Sequence, residues 1–145
     1  LNVGIDMKHY YAIGIDPGVK TGIAVWNITE QRFDAVISMG IIHAFDFVLN
    51  SVGPKEHIKI RFEDARARTW FGSSGRERLQ GAGSIKRDCK IWQEFCEFHG
   101  IYYEPVKPQA GGTKWNAELF KKRTKWQART NEHSRDAACL VFGVK

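Results

Sequence analysis

The sequence predicts a mixed α/β domain. Three observations carry this prediction. The first third holds three short apolar segments joined by tight turns; apolar strand-like and helical segments then alternate; and the 145 residues are ordinary globular material, 43% hydrophobic and 26% charged. Strands joined closely are antiparallel neighbours, whereas strands separated by helices pair as parallel crossovers. The order of three strands, helix, strand, helix, strand, helices places a hairpin meander on one side of a sheet and crossover units on the other. The length suits one domain with a real core and falls short of two full lobes.

Residues 1–9 lack a basic stretch followed by an apolar run, so they are not a secretory signal. They are read as an extension of unassigned role before a single domain over 10–145. Tyr10–Asp16 is apolar and stops at the turn signal Pro17-Gly18. Thr21–Ile28 and Arg32–Gly40 follow across short turns as the second and third strands. Ala44–Val52 reads as a short helix closed by Gly53-Pro54. His57–Glu63 alternates, with Ile58, Ile60 and Phe62 on one face, as a half-buried strand does. Arg66–Gly75 mixes Gly, Ser and charge and reads as a loop. A long helix runs from about Arg76 to Gly100 on Leu79, Ala82, Gly83, Ile85, Cys89, Trp92, Phe95, Cys96 and Phe98. Ile101–Pro105 is a short strand, Gly111-Gly112 a loop, Trp115–Lys122 a short helix and Glu132–Val144 a final helix.

Charge and cysteines narrow the function classes. Of the formal net charge of +6, the whole excess lies between Lys107 and Arg129. There Lys107, Lys114, Lys121, Lys122, Arg123, Lys125 and Arg129 face Glu118 alone. A localised basic surface is the electrostatic footprint of a polyanion, although alone it is also what a solvated lysine-rich face looks like. No apolar run approaches the roughly 20 residues that span a bilayer, so no membrane partner is expected. Cys89, Cys96 and Cys139 match no metal-binding spacing, and Cys89 and Cys96 stand about 10 Å apart along a helix, too far for a disulfide. They are expected to be reduced and mostly buried, in a cytoplasmic protein.

Asp16 ends a buried strand before Pro-Gly. A carboxylate there either holds a divalent cation, with the glycines of the hairpin admitting a substrate backbone, or merely caps a turn. Glu63 tips the reading, because it ends a strand that pairs beside the first. Strand-end carboxylates on neighbouring strands repel unless a cation lies between them. Alternation lets only one of Glu63 and Asp64 face Asp16; Glu63 is the candidate and Asp64 the reserve. His133-Ser134-Arg135-Asp136 opens the last helix, where positions i and i+3 share a face. Three carboxylates and one imidazole suffice for Mg²⁺ or Mn²⁺, and two such ions are the usual device for phosphodiester hydrolysis.

The string IGIDPGVKTGIAV, the Glu closing the fourth strand and HSRDAACL in the last helix together resemble the RuvC family of Holliday junction resolvases, within the RNase H-like superfamily. The resemblance spans roughly Tyr10–Val144. It implies an RNase H-like fold with a five-stranded mixed sheet, three antiparallel strands plus two parallel. It further implies a homodimer with two Mg²⁺-dependent sites that makes paired nicks across a four-way DNA junction, in recombination and repair. On this resemblance Asp16, Glu63 and Asp136 match the family's acids, and His133 takes a position that is Asp in many members. Lys107 and Lys114 resemble basic residues that support the scissile phosphate. Arg66, Arg68, Trp70 and Phe71 lie in the segment that carries an aromatic near the junction, where an exposed ring suits base stacking. Lys121, Lys122, Arg123 and Lys125 complete the expected DNA contacts. Gly81-Ala82-Gly83-Ser84 resembles the small-residue stretch where subunits of the family meet, or else packs on its own sheet.

Three other readings compete. Actin-like and sugar-kinase ATPases also open with a Gly-Ile-Asp-x-Gly hairpin, but need two lobes and well over twice this length. A relative of the nuclease fold that cuts RNA or RNA–DNA hybrid shares the first hairpin. A silent junction-binding protein would keep the basic surface and lose acids that are all present here.

Overall fold

The computed structural model describes residues 8–67, 76–108 and 114–145, without the side chains of 67 and 76–82. Arg68, Trp70, Phe71, the Gly111-Gly112 loop and residues 1–7 therefore lie outside the described residues. Strands β1 (Tyr11–Asp16), β2 (Lys20–Asn27) and β3 (Arg32–Gly40) form the meander. Helix α1 (Ile41–Asn50), strand β4 (Ile58–Glu63), helix α2 (Arg76–His99), strand β5 (Tyr102–Val106), and helices α3 (Ala117–Thr124) and α4 (Glu132–Cys139) follow. The five strands form one sheet in the order β3-β2-β1-β4-β5. The first three are antiparallel, and β4 and β5 join in parallel. This is the mixed α/β sheet that the sequence predicts.

The two-residue period of each strand builds a core on each side of the sheet. Ile13 and Ile15 of β1 join Ile23, Val25, Ile58, Ile60 and Phe62 in a cluster closed by Ala44 and Val48 of α1 and by Cys89, Trp92, Phe95 and Cys96 of α2. On the other face Ala12, Ala24 and Trp26 meet Phe120 of α3 and Ala137 and Ala138 of α4, with Val141 just beyond it. Asp16 follows Ala12 and Gly14 in phase, so it belongs to the α4 side.

What seats α4 there is an absence of side chains. A methyl group on Gly14 would collide with the Ala137 carbonyl, and one on Gly22 with the His133 carbonyl. Helix backbone thus lies directly on strand backbone, an approach only glycine allows. The hairpin glycines admit the protein's own helix, a different role from the substrate approach expected of them.

Several boundaries differ from expectation. Helix α1 starts at Ile41, directly after β3, and its N-cap Gly40 makes no side-chain capping bond; nothing local marks that start. The last helix ends at Cys139, far short of Val144. Its exit is drawn into tight turns, Leu140 N–H to Ala137 O and Val141 N–H to Ala138 O, with Gly143 at φ +80°. Helix α3 begins two residues later than expected, at the side-chain cap supplied by Asn116 to Leu119 N–H. Phe98, placed on the buried stripe of the long helix, is 85% exposed, because Phe95 and Cys96 already occupy the core-facing positions. Cys89 and Cys96 are buried and free, whereas Cys139 is exposed. Among the described residues no helix is long and apolar enough to cross a membrane.

Candidate active site

The site residues are brought together by register and by the glycine seat. In the β1–β2 hairpin Asp16 lies opposite Gly22, and Gly22 carries the His133 carbonyl. The first turn of α4 is thereby set over the end of β1, and His133 Nδ1 lies 3.0 Å from Asp16 Oδ2. In the parallel β1–β4 ladder Ile15 pairs with Phe62, so the next step puts Glu63 beside Asp16. Phe62 is fully buried on the α2 side, which turns Glu63 to the α4 side with Asp16. The parity question between Glu63 and Asp64 is answered by geometry. Asp64 carries its carboxylate to Arg66 instead (Oδ1 to Nε 2.8 Å, Oδ2 to Nη2 3.0 Å).

Asp136, one turn beyond His133, is drawn to Lys114: Nζ lies 3.4 Å from Asp136 Oδ2 and 2.9 Å from Glu132 Oε1. Lys107 is exposed just past β5. On α3 only Phe120 is buried, and Lys121, Lys122 and Arg123 stand exposed around it, with Lys125 at the cap. Arg123 lies over the Trp115 ring at 5.1 Å. Gly83 and Ser84 are exposed, and among the described residues a side chain on Gly83 would meet nothing within 4 Å; Gly81 and Ala82 lie outside the described side chains.

The electrostatics follow from this crowding. Burial pushes the Asp16 carboxyl up to about 6; its bond to His133 pulls the other way, and the nearby Asp136 and Glu63 raise it further. Asp16 is a half-buried acid short of positive charge. Oxygen donors with one imidazole are a set that Mg²⁺ or Mn²⁺ accepts, and a cation would relieve that deficit, so the donor chemistry fits a divalent ion. Among the described residues no three His, Cys, Asp or Glu are yet gathered closely enough to hold one. The Asp16–His133 and Lys114–Asp136 pairs are the contacts a bound cation would replace.

Two positioning residues escaped the sequence reading. Asn131 caps α4 by accepting from Ser134 N–H, while Ser134 Oγ accepts from Asn131 N–H, and its side-chain amide donates to Ser38 Oγ of β3. The signal was the Asn-x-x-Ser spacing, a variant of the capping box. Thr21, fully buried, donates its hydroxyl to Gly18 O at 2.7 Å and braces the turn after Asp16; no local pattern announces it.

A mixed sheet ordered β3-β2-β1-β4-β5, three antiparallel strands and two parallel, between helical layers is an RNase H-like architecture of the RuvC type. Among solved structures the chain is similar to T. thermophilus RuvC, determined in complex with a Holliday junction substrate. The TM-score is 0.60 at 18% sequence identity, over 92% of this chain and 91% of that one. At this identity the likeness is one of fold. No protein-family model matches the chain, and no curated protein matches it.

Proposed function

We propose that the protein is a metal-dependent endonuclease that cuts branched DNA, with four-way junctions as its substrate. One observation carries the reading: Asp16 and Glu63 end neighbouring strands, and His133 of the α4 His-x-x-Asp bonds to Asp16. The basic surface of α3 supports it, and so does the fold shared with a RuvC solved on a Holliday junction. Asp16, Glu63, His133 and Asp136 would hold one or two divalent ions. When bound, such an ion would supply Lewis acidity to the phosphodiester.

The chain's own groups divide the remaining work. Lys114, 67% exposed beside Asp136, presents an ammonium that can follow a phosphate once a cation takes over Asp136. Lys107, Lys121, Lys122, Arg123 and Lys125 give the DNA backbone a cationic bed. Arg68, Trp70 and Phe71, outside the described residues, are proposed to meet the junction itself. Paired nicks need two sites, so the working form is a homodimer in the cytoplasm. Ile85 of α2, 45% exposed, supports a mating surface near it.

The test compares a four-way junction, a duplex of equal length and an RNA–DNA hybrid at low salt with Mg²⁺ or Mn²⁺. Junction-selective paired nicking is expected, and Asp16→Asn or Glu63→Gln should lower its rate at least about 100-fold while binding persists. Equal cutting of duplex and junction, or preference for the hybrid, would overturn the substrate. Rates unchanged by both substitutions would overturn the site.

A further inference from the structure

The chain immediately after Glu63 is tied down on three sides. Asp64 N–H donates to Val106 O at 2.8 Å, which carries the β4–β5 ladder one residue past the acid. The Asp64 side chain then folds back on the backbone, and its Oδ1 accepts from the Arg66 amide at 3.0 Å. The same carboxylate takes the Arg66 guanidinium in a fork, Nε to Oδ1 at 2.8 Å and Nη2 to Oδ2 at 3.0 Å. Their side chains are only 15% and 31% exposed. From α2, Cys89 Sγ donates to the Glu63 carbonyl at 3.5 Å. Arg66 holds the Asp64 carboxyl below its ordinary range, through the side-chain bond first. A bidentate pair of this kind has a defined geometry as well as charge. It closes the backbone turn that ties down the end of β4 directly after Glu63.

We propose that Asp64 and Arg66 are positioning residues that fix the end of β4 and so steady the Glu63 carboxylate beside Asp16, and that Arg66 is not a phosphate contact. The proposal rests on the nuclease reading of the site. It differs from the role expected for Arg66 because a guanidinium forked onto a neighbouring carboxylate, in a turn it helps to close, is already committed. Arg66→Lys keeps the charge but cannot make the fork, and so separates the two roles.

Asp64→Asn, Arg66→Gln, Arg66→Lys and the Asp64→Asn/Arg66→Gln double variant decide the matter through three measurements. These are junction nicking, salt-dependent junction binding without divalent cation, and Mn²⁺ uptake by DNA-free protein read by electron paramagnetic resonance. Each single variant is expected to lower kcat about tenfold with KM unchanged, and the double variant to be no worse than either single, as for groups acting as one unit. Mn²⁺ affinity should fall several-fold in parallel, while the salt slope of junction binding stays at the wild-type value. Should Asp64→Asn fail to fold, Arg66→Lys reads the same outcome. A salt slope reduced by about one unit in Arg66→Gln alone, with Arg66→Lys restored to wild-type kcat, would make Arg66 a phosphate contact and overturn the proposal. Unchanged kcat in every variant would overturn it too, with the nuclease reading intact. A wild-type protein that neither nicks nucleic acid nor takes up Mn²⁺ would overturn both.

Discussion

Asp16 is costly to the fold for the same reason that it suits a cation. A carboxyl whose folded pKa is raised opposes folding once ionised. The cost is absent below about pH 4, where the acid is protonated in both states, grows between about pH 4 and 6, and is complete above the folded value of about 6. At neutral pH the cost is on the order of 3 kcal/mol. In metal-free buffer, Asp16→Asn is therefore expected to raise the thermal midpoint at pH 7.5 and to leave it nearly unchanged at pH 4. Equal effects at both pH values would contradict burial and crowding as the cause. Which acids share this site was partly legible in the sequence. The choice of Glu63 rests on chemistry, but its side depends on Phe62 facing α2, which only the ladder fixes. The Arg66–Asp64 fork was not legible, since nothing in Asp-Ala-Arg distinguishes a closed turn from an exposed basic residue.

Helix α4 is short, eight residues, and isolated helices of that length are marginal. Its stability comes from the cap and from the seat. Asn131→Ala removes the capping bond and the link to Ser38, and is expected to destabilise the protein by about 1–2 kcal/mol. Gly22→Ala pushes a methyl group into the His133 carbonyl, where a backbone must move. A loss of at least about 3 kcal/mol is expected in urea unfolding, with nicking lost in whatever remains folded. An alanine variant as stable as wild type would show that α4 can shift without penalty. That a helix opens at Glu132 with His133 and Asp136 on one face was legible, but its end and the start of α1 were not. Helix α1 starts without a cap residue, and α4 ends in turns that Leu140 and Val141 conceal by being apolar.

Across the whole molecule, charge is sorted by segment. The basic excess lies after β5 and on α3; Phe120 anchors α3 on the α4 side of the sheet, and the cations of α3 are exposed. Neutralising Lys121, Lys122, Arg123 and Lys125 together should flatten the log–log salt dependence of junction binding, as read by fluorescence anisotropy. The slope should fall by about one unit for each phosphate that the variant no longer neutralises. An unchanged slope would make α3 a solvated face. The order of strands and helices was fully legible because turn lengths dictate pairing. How closely α4 sits on β1 and β2 was not, because that depends on two glycines far from it in the chain.

That glycine seat also decides which positions are free to vary. His133 and Asp136 hang from a helix whose placement is set by backbone meeting backbone, so their side chains can be exchanged without moving the scaffold. In a saturation screen scored for folded protein, position 133 should accept Asp, Asn and Gln, while positions 14 and 22 accept only glycine. The side chain offered from this helix is open to drift, and the place from which it is offered is not.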